Sequence, residues 1–174
     1  MSLVRIDDLG DRLVVVNTNT GRRGALSPEL YDAINAATGQ AREGRVRAVL
    51  LTAEGGFFCA GGDLNRLRER SQLGEAERRA QIDALHGVIS ALRACPVPVI
   101  AAVEGGAAGA GLSLALACDM IVAGESARFT AAYVKAGLVP DGGLTASLAR
   151  SVPRVLAAEL CLLGQPLGAG RLHS

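Results

Sequence analysis

The sequence predicts an α/β fold with a single domain over residues 1–174, and three observations support this prediction. Short apolar runs alternate along the chain with helix-like stretches, which is the pattern of repeated β-α units. Hydrophobic residues make up 49% of the chain, enough to bury a substantial core. No linker, low-complexity tract or repeat of fixed period divides the chain into two parts.

Four apolar runs predict the strands of a sheet. They are short and rich in valine, isoleucine, leucine and alanine, and they lie at residues 13–16, 48–52, 99–103 and 120–123. The third run follows Pro96 and Pro98, which end any helix before it because a residue that precedes proline avoids helical angles.

Three stretches between and after these runs predict helices. Ser27 followed by Pro28 is typical of a helix start, and that helix is expected to reach Gln40. Residues 64–92 form a longer helix-like stretch whose apolar residues, from Ile82 to Leu92, recur at helical spacing. Residues 153–163 predict a third helix closed by Gly164, and residues 165–174 are expected to contain no further element.

Charge and cysteine content exclude several classes of partner. The formal net charge is +1 and aromatic residues make up only 3%, so we expect neither a nucleic-acid nor a membrane partner. The four cysteines are far apart and form no CxxC pair, so we expect reduced, buried packing residues and no metal site. The start of the chain does not resemble a signal peptide, and a cytoplasmic location fits these features.

Two glycine-rich turns are the most informative local feature. The sequence FCAGGDL spans 58–64 and EGGAAGAG spans 104–111, each between a strand-like run and a helix-like run. A backbone N–H can approach a developing negative charge only where no side chain crowds it, which favours glycine. The pair of turns therefore predicts an oxyanion hole.

These motifs resemble the two signatures of the crotonase superfamily, also called the enoyl-CoA hydratase/isomerase family. The resemblance continues through ALACD at 115–119, ARF at 127–129 and GLVPDGG at 137–143, and the segment 134–143 resembles the phenylacetate-pathway isomerase branch. It implies a crotonase-like ββα spiral core that binds an acyl-CoA, with no cofactor besides the coenzyme A of the substrate. It also implies a homo-oligomer, a trimer or hexamer in the family. The helical segment that usually ends such proteins is absent from this sequence.

The resemblance also implies roles for particular residues. The N–H groups of Gly62 and Ala110 correspond to the two donors of the oxyanion hole. Other positions correspond to contacts with the substrate: Arg23 and Ala25 near the nucleotide, and Ala60, Asp63 and Leu64 along the pantetheine. Gly109, Ser113 and Tyr133 are further candidates for binding the substrate. From the residues alone, Arg23 is equally well explained as an exposed arginine, and Asp63 as a helix cap.

The resemblance makes Asp141 the candidate catalytic base. Hydratases of this family use two glutamates, and Ser113 and Tyr133 stand at those positions here. One carboxylate is sufficient to move a double bond, because it can remove a proton and return it elsewhere. The alternative is that Asp141 is a turn or cap residue, since PDGG is also a turn signal.

Three other functions are alternatives to an isomerase. The first is an enoyl-CoA hydratase, and the second is a non-catalytic protein that binds acyl-CoA. The third is a serine hydrolase using Ser113 and His86, which is weak because no nucleophile-elbow pattern surrounds Ser113.

Overall fold

The computed structural model describes residues 2–63, 69 and 72–173. Within them the chain forms two sheets with helices packed around the larger one, so the predicted α/β class is confirmed. None of the helices in these residues is long and apolar enough to cross a bilayer.

The main sheet has five strands. They are β1 (Val4–Asp8), β2 (Arg12–Asn17), β3 (Ala48–Ala53), β4 (Val99–Val103) and β6 (Met120–Ala123), in that spatial order. β1 runs antiparallel to β2, and the other neighbours are parallel. The four predicted strands are confirmed, because their apolar side chains, such as Val15, Val49 and Ala101, fill the core.

A smaller sheet contains β5 (Gly106–Ala108), β7 (Arg128–Thr130) and β8 (Leu167–Gly168). β8 pairs antiparallel with β7 through Leu167 and Phe129, and α6 (Ala169–His173) follows it directly. The expectation of no element after Gly164 is therefore wrong. A two-residue strand is too short to show a hydrophobic period in the sequence. It is stabilised by pairing with a distant segment.

Helix α1 (Pro28–Gln40) has the predicted bounds. The Ser27 hydroxyl accepts a hydrogen bond from the Leu30 N–H at 3.3 Å, and Pro28 occupies the first turn. The buried face of α1, which includes Leu30 and Ile34, packs on the main sheet and against the next long helix, α2 (Glu75–Arg93).

Helix α2 (Glu75–Arg93) begins later than the predicted stretch 64–92. Gly74 precedes the helix in an extended conformation, and its N–H donates to the Glu77 carboxylate at 3.2 Å. Most of the earlier part of the predicted stretch lies outside the described residues. Leu85, Ile89 and Leu92 are buried as expected, whereas Ile82 is 41% exposed and faces the cavity described below.

The remaining helices follow the second glycine-rich turn. They are α3 (Ala110–Ala115), α4 (Leu144–Ser151) and α5 (Arg154–Leu163). α5 ends at Gly164, which has a left-handed conformation, so the predicted third helix and its glycine terminus are confirmed.

The four cysteines are all free, and only Cys59 is fully buried. Cys95, Cys118 and Cys161 pack against the core as expected, but the expectation of full burial is wrong for them because they are half-buried. Burial raises the pKa of both the Cys59 and the Cys118 thiol to about 12, so both stay protonated near neutral pH.

Candidate active site

The two glycine-rich turns lie side by side because their backbones are hydrogen-bonded to each other. The Ala108 N–H donates to the Cys59 carbonyl at 2.9 Å, and the Cys59 N–H donates to the Gly106 carbonyl at 3.4 Å. On its other side the first turn is tied to the segment before α1, since the Leu26 N–H donates to the Gly61 carbonyl at 2.9 Å. The first turn is thus fixed between two neighbouring segments.

Glycine is required at two points where these turns meet. Gly61 has a φ of +89°, and a Cβ there would lie 2.6 Å from the Ala108 carbonyl oxygen. A Cβ at Gly111 would collide with the Cys59 carbonyl oxygen. The spacing of glycines in both motifs therefore follows from close backbone contact.

The N–H groups of Gly62 and Ala110 are available to a ligand. Neither residue is a donor in the backbone hydrogen bonds between described residues. Ala110 is the first residue of α3, where an N–H has no acceptor within its own helix. Both residues line the same cavity, which has a volume of about 120 Å³.

The cavity is mostly apolar. Of the residues singled out from the sequence, six line it: Ala60, Gly62, Gly109, Ala110, Tyr133 and Asp141. The other described lining residues were not anticipated as site residues: Leu26, Tyr31, Gln81, Ile82, Leu85, Ala132, Ala136 and Leu138. Asp141 is the one carboxylate among the described residues of this lining.

Asp141 belongs to a hydrogen-bonded cluster with Tyr133 and Ser113. The Tyr133 hydroxyl donates to Asp141 Oδ1 at 2.7 Å, and it lies 3.0 Å from Ser113 Oγ. Ser113 Oγ donates to the main-chain carbonyl of Asp141 at 3.0 Å. Ser113 is only 1% exposed, and it lies behind the two residues that reach the cavity.

The pKa of the Tyr133 phenol is raised well above its ordinary value, chiefly by burial. The hydrogen bond to Asp141 and the carboxylate charge act in the same direction, and contact with the Ser113 hydroxyl opposes them. Tyr133 is therefore a neutral hydrogen-bond donor throughout the physiological pH range.

An open groove of about 570 Å³ adjoins the cavity and shares Ala60, Gly62, Ala132 and Ala136 with it. Ala25 and Asp63 also line this groove, as do two cationic side chains, Arg22 and Lys135. Arg22 forms an ion pair with Asp63. Sequence reasoning missed Arg22 and Lys135, and only the position of Lys135 within the 134–143 motif could have indicated it.

Arg23 lies apart from this groove. Its guanidinium group stacks on the Phe57 ring at 4.0 Å, and it is the one residue other than glycine with a positive φ, +51°, in the described part of the chain. Its main-chain carbonyl accepts a hydrogen bond from the Ala60 N–H at 3.0 Å, so it supports the first turn. Leu64, one of the three pantetheine candidates, falls outside the described residues.

The geometry disfavours the serine hydrolase alternative. Ser113 Oγ is bonded to Tyr133 and Asp141 in the interior, whereas His86 is exposed on α2. A nucleophilic serine needs a base within hydrogen-bond reach and an open path to the substrate.

The site combines two backbone N–H donors, an apolar cavity and one carboxylate among its described lining residues. A site of this class can hold a carbonyl oxygen while a neighbouring carbon exchanges a proton. Residues 13–173 match the family described as enoyl-CoA hydratase/isomerase. The chain therefore belongs to this family, as the motifs predicted.

Individual relatives agree with this assignment. A probable enoyl-CoA hydratase of Rhodobacter capsulatus is 39% identical over 83% of this chain and 55% of its own length. A 1,2-epoxyphenylacetyl-CoA isomerase of Escherichia coli is 42% identical over 76% of this chain and 51% of its own length. This chain thus spans about half the length of these curated relatives.

A solved structure confirms the crotonase-like fold. The crystal structure of an enoyl-CoA hydratase from Polaromonas sp. JS666 superimposes with a TM-score of 0.91 at 47% identity. The superposition covers 98% of this chain and 66% of that structure.

Proposed function

We propose that this chain binds an enoyl-CoA thioester and moves its double bond by proton transfer. Asp141 removes a proton from the carbon next to the thioester carbonyl of a 3-enoyl-CoA. The electrons pass into a dienolate, whose oxygen accepts hydrogen bonds from the N–H groups of Gly62 and Ala110. Asp141 then returns the proton to the far end of the dienolate, which gives the 2-enoyl-CoA.

One observation carries this proposal: Asp141 lines the same small cavity as the two available N–H groups. A base and an oxyanion hole must act on the same substrate atoms, so they must share one space. The apolar remainder of the lining suits an acyl chain and limits the access of water.

The groove beside the cavity supports coenzyme A as the carrier of the acyl group. Arg22 and Lys135 supply positive charge on a surface that leads to Gly62 and Ala60. Both charges would favour the phosphates of coenzyme A, and arginine can bind phosphate with two parallel hydrogen bonds. The proposed reaction needs no cofactor beyond the coenzyme A of the substrate.

A hydratase is the second candidate, and the names of relatives favour it. One is a probable enoyl-CoA hydratase, and another, from Escherichia coli, is a 2,3-dehydroadipyl-CoA hydratase with 35% identity over 90% of this chain. Hydration requires a water molecule held and deprotonated beside the alkene, and two ionisable groups normally share that work. Within the described lining Asp141 would have to do this alone.

The test is chromatography of 3-enoyl-CoA incubated with the wild-type chain, Asp141→Asn and Asp32→Asn. Asp32 is an exposed carboxylate on α1 and serves as the matched control. Conversion to 2-enoyl-CoA by the wild type and by Asp32→Asn, with kcat reduced by about 10² to 10⁴ in Asp141→Asn, supports the proposal. A hydroxyacyl-CoA product indicates the hydratase, and tight binding without turnover indicates a non-catalytic acyl-CoA-binding protein.

A further inference from the structure

The contacts among Asp141, Tyr133 and Ser113 indicate how the base is held in place. We infer that Tyr133 and Ser113 are positioning residues for Asp141: Tyr133 holds the carboxylate by Oδ1 and Ser113 holds the main-chain carbonyl, so that Oδ2 is the oxygen that reacts with substrate. This inference rests on the proposed proton transfer by Asp141.

The direction of the hydrogen bonds follows from the number of protons. Three short oxygen–oxygen contacts join the cluster, and Tyr133 and Ser113 supply one proton each. The main-chain carbonyl of Asp141 can only accept, so it takes the Ser113 proton. The Tyr133 proton then goes to the carboxylate, because a charged acceptor makes the stronger hydrogen bond.

This arrangement leaves the two carboxylate oxygens in different surroundings. Oδ1 accepts from Tyr133 at 2.7 Å, whereas Oδ2 accepts no hydrogen bond from the described residues. Asp141 lines the cavity, so an oxygen without a protein partner there is the one available to a carbon-bound proton. A carboxylate held at one oxygen also loses rotational freedom, which keeps it near a reactive geometry.

Burial makes the cluster suitable for positioning rather than for acid catalysis. Tyr133 is 7% exposed and Ser113 is 1% exposed, so solvent does not compete for their hydroxyl groups. The raised pKa of Tyr133 keeps its proton in place while Asp141 gains and loses one. Ser113 in turn holds the main chain of the base, and its Oγ lies 3.0 Å from the phenol oxygen.

The two residues occupy the positions at which the sequence resemblance places the glutamates of hydratases. In this chain the hydroxyl group at each of those positions donates to Asp141, and the two hydroxyl oxygens lie 3.0 Å apart. Both hydroxyl protons are therefore donated to Asp141, and neither is left to donate to a water molecule. This arrangement favours proton transfer within the substrate over addition of water.

The experiment compares Tyr133→Phe and Ser113→Ala with the wild type in steady-state kinetics and in crystal structures. Thr38→Val is the matched control, since Thr38 has a buried hydroxyl bonded to the Ile34 carbonyl at 2.9 Å within α1. We expect kcat to fall by about 10- to 100-fold in Tyr133→Phe, with KM changed less than about twofold. We expect Thr38→Val to match the wild type, and the Asp141 carboxylate in crystals of Tyr133→Phe to be rotated or split between two positions.

Two results would overturn the inference: an unchanged kcat in Tyr133→Phe, or an Asp141 carboxylate that keeps its place without the phenol. The crystallographic result is independent of turnover. If the wild type fails to isomerise any enoyl-CoA, the proposed function fails. Displacement of Asp141 in Tyr133→Phe still supports the positioning role in that case, and an unmoved Asp141 refutes it.

Discussion

Tyr133 illustrates how burial changes the proton affinity of a single side chain. Its phenol is enclosed by apolar residues of the core, and its hydroxyl group reaches the carboxylate of Asp141. Burial disfavours the phenolate, so the folded protein binds the phenol proton more tightly than the unfolded chain does. The stability that this provides is fully present below the unfolded pKa of about 10 and is lost as the pH rises above it.

The first prediction concerns the ionisation of Tyr133. The chain has two tyrosines and no tryptophan, so Tyr31→Phe leaves Tyr133 as the one tyrosine that absorbs in the near ultraviolet. We expect the phenolate absorbance of this variant to appear only at a pH well above 10 while the protein is folded. In denaturant the same titration should return to the ordinary range. Phenolate formation near pH 10 in the folded protein would contradict the burial described here.

At the residue scale, sequence indicates some of the residues that line the cavity and groove and misses others for a physical reason. Asp141 was identified from its place in a motif, and it does line the cavity. Arg22 and Arg23 are adjacent, yet Arg22 faces the groove while Arg23 stacks on Phe57. The positive φ of Arg23 reverses the local chain direction, and no property of the arginine pair signals that conformation.

At the scale of elements, the two glycine-rich turns depend on close contact between backbones. The first turn lies between the Arg23–Leu26 segment and β5, and each contact is made by main-chain atoms. A backbone carbonyl cannot give way as the end of a flexible side chain can. A side chain at Gly61 must therefore push the turn, and the Gly62 N–H with it, away from β5.

The second prediction compares Gly61→Ala with Gly56→Ala. Both glycines have positive φ, +89° and +70°, so both variants bear the conformational cost of about 1 to 2 kcal/mol. A Cβ at Gly56 meets nothing within 4 Å, whereas a Cβ at Gly61 meets the Ala108 carbonyl. We expect Gly61→Ala to unfold at a lower urea concentration than Gly56→Ala and to lose more isomerase activity. Equal stability of the two variants would show that the contact is not tight.

Sequence predicted the elements that carry their own hydrophobic pattern. The strands at 48–52 and 99–103 and the helix from Pro28 were found because apolar spacing and a serine cap are local features. β5, β7 and β8 were missed because two or three residues contain no period, and they form by pairing between distant segments. The bond between Tyr133 and Asp141 was missed because the turn between them, not the eight-residue spacing, brings the two side chains together.

For the whole molecule, one stretch of exposed apolar side chains lies at an edge of the main sheet. β6 is the last strand of that sheet in the described part of the chain, and Val122 on it is 60% exposed. Met120 beside it is also exposed. An apolar edge strand favours association with another chain.

The third prediction follows from this edge. We expect the chain to self-associate, with a molar mass by light scattering above that of one chain and rising with concentration. Val122→Lys should reduce the association, because it places a charge on the apolar edge. Leu9→Lys, at an exposed turn away from this edge, should leave it unchanged. A monomer at every concentration would contradict the prediction.

The proposed role of Asp141 is tested most directly by mass spectrometry of 2-enoyl-CoA and 3-enoyl-CoA incubated in heavy water with the wild-type chain and with Asp141→Ala. We expect the double bond to migrate in the wild type and not in Asp141→Ala, with deuterium entering the product only as far as the proton on Asp141 exchanges with the solvent during the reaction. Addition of a whole water molecule, or migration that persists at the wild-type rate in Asp141→Ala, would contradict proton transfer by Asp141.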